Sequence, residues 1–167
     1  MQTSEGIKEK AERFFKLFLN TPPNDFEGMT VEALRNLMLF CCLETDQAIL
    51  TQTVTGEEIQ KVLFAMPNNK APGPEVYTRE FFKATLSIVG NDFVHAVHSF
   101  FTTGFLPKGL STIILALIPK KEAAVEMKDY LPISCCNVVY KVISKILANR
   151  LKCLLPRFIF QNQSTFC

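Results

Sequence analysis

Apolar residues recur along this chain with two different periods, and the change between them defines its architecture. Residues 4–19 place Ile7, Ala11, Phe14, Phe15, Leu17 and Phe18 at helical spacing among charged residues, which predicts an amphipathic helix. Thr21-Pro22-Pro23-Asn24-Asp25 breaks it, and a second helical pattern runs from about Val31 to Leu39. Thr55 followed by Glu58 reads as a capping box opening a helix through Ile59, Val62, Leu63 and Met66, with Pro67 ending it. Phe81, Phe82, Leu86, Ile88 and Val89 lead to an expected break at Gly90. Phe93, Val94, Val97, Phe100 and Phe101 then continue with helical spacing to Gly104. Stripes at intervals of three and four predict core packing rather than base stacking.

From Ile113 to Ile118 the apolar run is continuous, which suits a strand buried on both faces, closed by Pro119. A return strand over about 129–134 makes a β-hairpin whose connecting loop is longer than a tight turn. A last helix is expected from Asn137 to about Leu155. At about 100° per residue, Lys141, Lys145, Asn149 and Lys152 share roughly one quadrant, opposite Val142, Ile143, Ile146, Leu147, Leu151 and Leu154. Arg150 falls in the middle of the apolar face, where a guanidinium needs a carboxylate or carbonyls. The predicted fold class is α+β, mostly helical with one β-hairpin.

Composition places the chain among globular proteins, with 48% hydrophobic and 20% charged residues over 167 positions. The formal charge of +2 conceals an asymmetry. Residues 1–103 carry 9 Lys and Arg against 13 Asp and Glu, and residues 104–167 carry 9 against 3. A basic C-terminal half is the footprint expected of a phosphate partner. Cys41-Cys42, Cys135-Cys136, Cys153 and Cys167 form no CxxC pair and have no His at zinc-ligand spacing, so reduced thiols in a nuclear or cytoplasmic setting are expected. No apolar run reaches membrane length.

The sharpest chemical feature is LIPKK at 117–121, an apolar run ending in a lysine pair, followed by DYLPISCCN at 129–137. It reads as a hairpin presenting amines at its tip. Paired carboxylates able to hold two Mg²⁺ ions are not found. Asp92 and Asp129 are expected to cap a helix and a turn, and His95 and His98 to be surface or packing residues. No Ser-His-Asp grouping, Walker loop or GxGxxG occurs.

With NKAPGPEVYT at 69–78 upstream, and YKVISKILANRL at 140–151 and NQSTF at 162–166 downstream, the order and spacing of these segments resemble the N-terminal part of a plant LINE-type (non-LTR retrotransposon) reverse transcriptase. The resemblance implies a fingers portion, with residues 1–50 a helical N-terminal extension and 51–167 a partial reverse-transcriptase domain. The family's catalytic aspartates lie C-terminal to the segment matching NQSTF, so no catalytic residue is expected here. The implied partners are an RNA or DNA template-primer and the palm segment of the parent polymerase, with Mg²⁺ the ion of a full-length relative and no cofactor of this chain. Lys120 matches the family lysine that neutralises the incoming triphosphate, with Lys121 beside it. Lys70 is the template contact that the resemblance implies; Lys141, Lys145 and Lys152, on the basic face of the last helix, are read either as further template contacts or as a solvated face.

Two departures bear on this. The family arginine of Asp-Tyr-Arg-Pro-Ile-Ser falls on Leu131, which cannot make charge-assisted bonds to phosphate. Where family members continue the KAPGP loop with Asp-Gly-Phe, this chain has Glu75-Val76-Tyr77, and a β-branched valine resists positive φ. The resulting expectation is a fragment of an RNA-directed DNA polymerase, inactive alone. The alternatives are a non-enzymatic nucleic-acid-binding module and a decayed remnant without function.

Overall fold

The computed structural model describes residues 4–22, 28–37, 42–68 and 70–157. The NQSTF segment at 162–166 and part of the expected break at 21–25 lie outside the described residues. The elements in order are α1 (Ser4–Asn20), α2 (Val31–Leu37), α3 (Glu44–Thr51), α4 (Gly56–Ala65), α5 (Arg79–Ala84), α6 (Leu86–Thr103), α7 (Lys108–Ser111), β1 (Ile113–Pro119), β2 (Tyr130–Cys136) and α8 (Val138–Lys152). Helices dominate, and β1 pairs with β2 in a two-stranded sheet. The fold is therefore α+β and mostly helical, as the two hydrophobic periods predict.

The chain divides into two compact units, one of residues 1–41 and 117–132, the other of residues 42–116 and 133–167. In the first, α1 stacks Phe14 on Phe18 with ring centroids 6.1 Å apart and sets Phe15 edge-on to Phe14 at 5.1 Å. Phe15 is buried, while Leu17, Phe18 and Leu19 remain exposed.

The second unit holds the main core. Val54, Ile59, Val62, Leu63, Phe93, Val97, Val138, Val139, Val142, Ile143 and Ile146 form one buried cluster, drawn mostly from α4, α6 and α8. Burying each such side chain contributes about 1.5–3 kcal/mol relative to leaving it in water, so these three helices carry most of the unit's stability. The predicted apolar face of α8 is confirmed for Val142, Ile143 and Ile146, and Leu154 just past the end of the helix is buried too, although Leu147 and Leu151 stay exposed.

One helix boundary differs from the sequence pattern. The break expected at Gly90 occurs at Thr85, whose amide and hydroxyl both donate to the Phe81 carbonyl, at 2.9 and 2.8 Å. α6 then runs through Gly90, because buried Phe93 and Val97 outweigh the roughly 1 kcal/mol that glycine costs a helix. Asp92 consequently sits inside α6 rather than capping it. The Thr55 hydroxyl does accept from the Glu58 amide at 3.1 Å, but the Glu58 carboxylate is engaged by Arg150. Gly104 ends α6 with φ 69°, the left-handed conformation typical of a C-terminal glycine.

The strand expected to be buried on both faces is not. Ile113, Ile114, Leu115 and Ile118 are exposed, Leu115 to 40%. A continuous apolar run signals a covered strand only where layers lie over it, and a two-stranded sheet supplies none.

Candidate nucleic-acid interface

The loop joining β1 to β2 is built by hydrogen bonds that end on Asp129. Its carboxylate accepts from the Val125 and Glu126 amides, each at 3.2 Å, and pairs with Lys121 at 2.9 Å. Asp129 thus caps the 3₁₀ turn over 127–129, as expected. The Lys121 ammonium, followed by the Glu126 amide, holds the Asp129 carboxyl down from its usual 3.8 to about 2. Lys120 donates from its backbone to the Asp129 carbonyl at 2.8 Å and from its amine to the Lys128 carbonyl at 3.0 Å. Lys128 pairs with Glu126 at 2.6 Å, which raises its pKa.

Two consequences follow for the tip. Both lysines expected to meet phosphate are already hydrogen-bonded within the loop, Lys121 to a carboxylate. Residues 120–129 also carry three lysines against Glu122, Glu126 and Asp129, so the tip is electrically balanced. All the acidic residues of the basic half are in this loop. Leu131, where the resemblance leads one to expect an arginine, is exposed on β2.

The low Asp129 pKa makes loop order depend on pH with a definite sign. A carboxyl whose pKa is depressed on folding adds stability above its unfolded value and loses it as pH falls through the folded one. Protection of the Val125 and Glu126 amides should therefore be complete above pH 4 and fade as pH falls towards about 2. Asp129→Asn should remove that transition in a hydrogen-exchange or NMR titration; a transition that persists in the variant would refute the assignment.

In the second unit, the KAPGP loop is fastened to the start of α8. The Lys141 amine donates to the Ala71 carbonyl at 2.9 Å, the Val138 amide donates to Glu75 Oε1 at 2.7 Å, and the Glu75 amide donates to Asn137 Oδ1 at 3.4 Å. Asn137, buried, donates onward to the Gly109 and Leu110 carbonyls at 2.8 and 3.1 Å. The loop is therefore positioned by α8 and α7 together. Lys141 has a structural bond as well as its charge, while Lys70, Lys145 and Lys152 are exposed.

Val76 adopts φ 67° in spite of its branched side chain, and the backbone turns there with the Val76 amide donating to the Gly73 carbonyl at 3.0 Å. Left-handed geometry costs an L residue about 1–2 kcal/mol. Val76 is 75% exposed, so packing does not compensate for that cost. Glycine there would relieve the strain but add about 0.5–1 kcal/mol of chain entropy. Val76→Gly should hence stabilise the protein by a net amount of about 0.5–1 kcal/mol, read as a higher denaturation midpoint. A lower midpoint would show the strain to be absent.

The sequence pattern missed a groove of about 570 Å³ in this unit, walled by Arg79, Ser134, Tyr140, Lys141, Ser144 and Lys145 among others. No carboxylate lines it. Arg79, 4% exposed, reaches the Asn68 carbonyl at 3.3 Å. A helix wheel extended by one position would have found Tyr140 and Ser144 flanking the two lysines; nothing in the local pattern places Arg79. The described residues from 130 to 157 contain no Asp or Glu, so most of the excess positive charge of the C-terminal half lies on and after α8, with Lys108 the exception.

Among the described residues no group of three His, Cys, Asp or Glu side chains could hold a metal ion, and no helix is long and apolar enough to cross a membrane. His95 is exposed and His98 half-buried.

No family model matches the chain. It is similar to a Xenopus laevis protein described as the transposon TX1 uncharacterized 149 kDa protein, with 29% identity over 166 residues. That match covers 98% of this chain and 12% of the relative, so the chain spans about an eighth of the length of the protein it matches. The similarity to this transposon protein runs along almost the whole of this chain.

Proposed function

We propose that this chain is the fingers portion of a retrotransposon reverse transcriptase, with 51–167 the partial polymerase domain and 1–50 a helical extension. In this reading it contributes to holding RNA or DNA template-primer and does not polymerise alone. The observation that carries the proposal is the similarity to a transposon protein along the whole chain, joined to a hairpin whose tip bears Lys120 and Lys121. Template contact through Lys141, Lys145 and Lys152 is supported by the absence of acidic residues from 133–157, and exposed Lys70 joins them in this reading.

Polymerisation by two Mg²⁺ ions requires paired carboxylates that activate the primer hydroxyl and stabilise departing pyrophosphate. The described residues do not fit those ions. The residues here can bind and orient; Leu131 cannot contribute the phosphate bond of the family arginine, a loss of about 1.5–3 kcal/mol. Purified chain mixed with template-primer, dNTPs and Mg²⁺ should give no extension, and Leu131→Arg should not create any.

The decisive test places residues 51–157 in the aligned segment of an active non-LTR reverse transcriptase. With Leu131→Arg the chimera should extend primers at least about tenfold faster than with Leu131, as expected for one charge-assisted phosphate bond. If a folded chimera that binds template-primer extends with neither residue, the fingers reading fails. A non-enzymatic nucleic-acid-binding module, favoured by the electrically balanced tip, then becomes the better reading.

A further inference from the structure

We propose that the groove between the end of α4, β2 and α8 is a binding site for single-stranded nucleic acid, in which Tyr140 stacks on a base while Arg79, Lys141 and Lys145 hold the adjoining phosphates. The site rests on the nucleic-acid reading above, but not on polymerase ancestry.

Its components suit that ligand and no simpler one. A volume of about 570 Å³ accommodates a nucleotide-sized group rather than a lone anion. Three cations with no carboxylate give the charged part of the lining a single sign, beside the apolar Ala65, Met66, Pro67 and Ala148. Arg79 is held rigid by burial and by its bond to the Asn68 carbonyl, so its guanidinium loses little freedom on meeting a phosphate. Lys141 is similarly fixed through the Ala71 carbonyl, a partner that brings no opposing charge. Ser134 and Ser144 add hydroxyls.

The aromatic residue distinguishes a nucleic acid from other polyanions. Tyr140 lines the groove and is 38% exposed, with Ser144 one helical turn further along α8 and Lys141 beside it in sequence. An aromatic ring beside a positively charged track is the arrangement by which single strands are bound without sequence readout, because every base offers a π-face. An acidic peptide would use the cations and ignore the ring.

The test uses the full chain and a fluorescent 12-nucleotide oligouridylate, measured by anisotropy across a salt series with affinities compared at one common salt concentration. Tyr140→Ala should weaken binding roughly tenfold, and Tyr140→Phe should bind within about twofold of wild type. Lys145→Gln, at an exposed position, should weaken binding and reduce the slope of log K against log salt by about 0.7. The chain has three tyrosines and no tryptophan, so stacking should also quench tyrosine emission, and Tyr140→Phe should lose that quenching. The quenching readout stands even if Tyr140→Ala does not fold. Unchanged affinity in folded Tyr140→Ala, equal quenching in wild type and Tyr140→Phe, or competition by polyglutamate as strong as by unlabelled oligonucleotide would each overturn the site. A failed chimera with tyrosine-dependent binding intact would sink the fingers reading and leave this groove standing.

Discussion

Arg150→Ala should cost about 3 kcal/mol of unfolding free energy, the low end of what removing one partner of a buried ion pair costs. The Arg150 side chain is 10% exposed and points its fork at Glu58, with Nη2 2.9 Å from Oε2 and Nε 3.3 Å from Oε1. Its other terminal nitrogen donates to the Leu50 carbonyl at 3.2 Å and the Gln52 carbonyl at 2.6 Å. One guanidinium thereby joins α8 to the start of α4 and the end of α3, and its removal leaves a carboxylate and two carbonyls short of donors. Glu58 is 32% exposed, so water recovers part of the loss, which is why the low end applies. Phe101 lies 6.0 Å from the guanidinium carbon and adds a weak cation–π contact. Glu58→Gln should cost less, since a neutral amide oxygen still accepts. Urea denaturation at unchanged m-value measures both; a loss in Arg150→Ala below about 1 kcal/mol would place the pair among ordinary surface bridges.

That ion pair was legible in the sequence because a charge at a helix position surrounded by Val, Ile and Leu demands a partner; which carboxylate would answer was not. The same limit recurs elsewhere. Periodicity found α1, α4, α6, α8 and the hairpin, since each has enough apolar positions to define a face. It missed α3, where Ala48, Ile49 and Leu50 are consecutive and define none; that helix is fixed instead by the Asp46 carboxylate accepting from the Leu43 amide and by Arg150 at its end. It overestimated β1, because an apolar run reports what a strand could bury and not which layer is present to bury it.

The candidate site divides in the same way. The lysines on α8 were visible as a charged quadrant, and the hairpin lysines as a motif. Their hydrogen-bonded state was not, because it depends on where Asp129, Lys128 and Ala71 come to rest in space. Arg79 and Asn137 are more extreme cases. Neither has a local signal, and both act through contacts with residues that the fold, and not the local sequence, brings to them: Asn68 for one, Gly109 and Leu110 for the other.

Gly73→Ala should be the most damaging single methyl addition in the chain's loops, by about 2–3 kcal/mol at the upper range for overpacking. Gly73 is buried, and a Cβ there would lie 2.6 Å from the Asn137 amide nitrogen, 2.6 Å from the Cys136 carbonyl carbon and 2.5 Å from Glu75 Oε2. Two of those atoms are backbone, at the junction of β2 with α8, and cannot swing aside as a side chain could. Relief would require the KAPGP loop to lift from α8. That lift would stretch the bonds from Val138 to Glu75, from Glu75 to Asn137 and from Lys141 to Ala71 together. Glycine is needed here for close approach, whereas at Val76, three residues on, the backbone tolerates a branched residue in a left-handed turn because that side chain faces solvent. The two positions therefore give opposite signs: Gly73→Ala should lower the denaturation midpoint while Val76→Gly raises it. Amide exchange should show where the damage falls, with Val138 losing protection in Gly73→Ala before the helix interior at Val142 and Ile146. Full stability in Gly73→Ala would mean that the loop does not rest on α8 at all, and Lys141 would then be available to phosphate without first releasing Ala71.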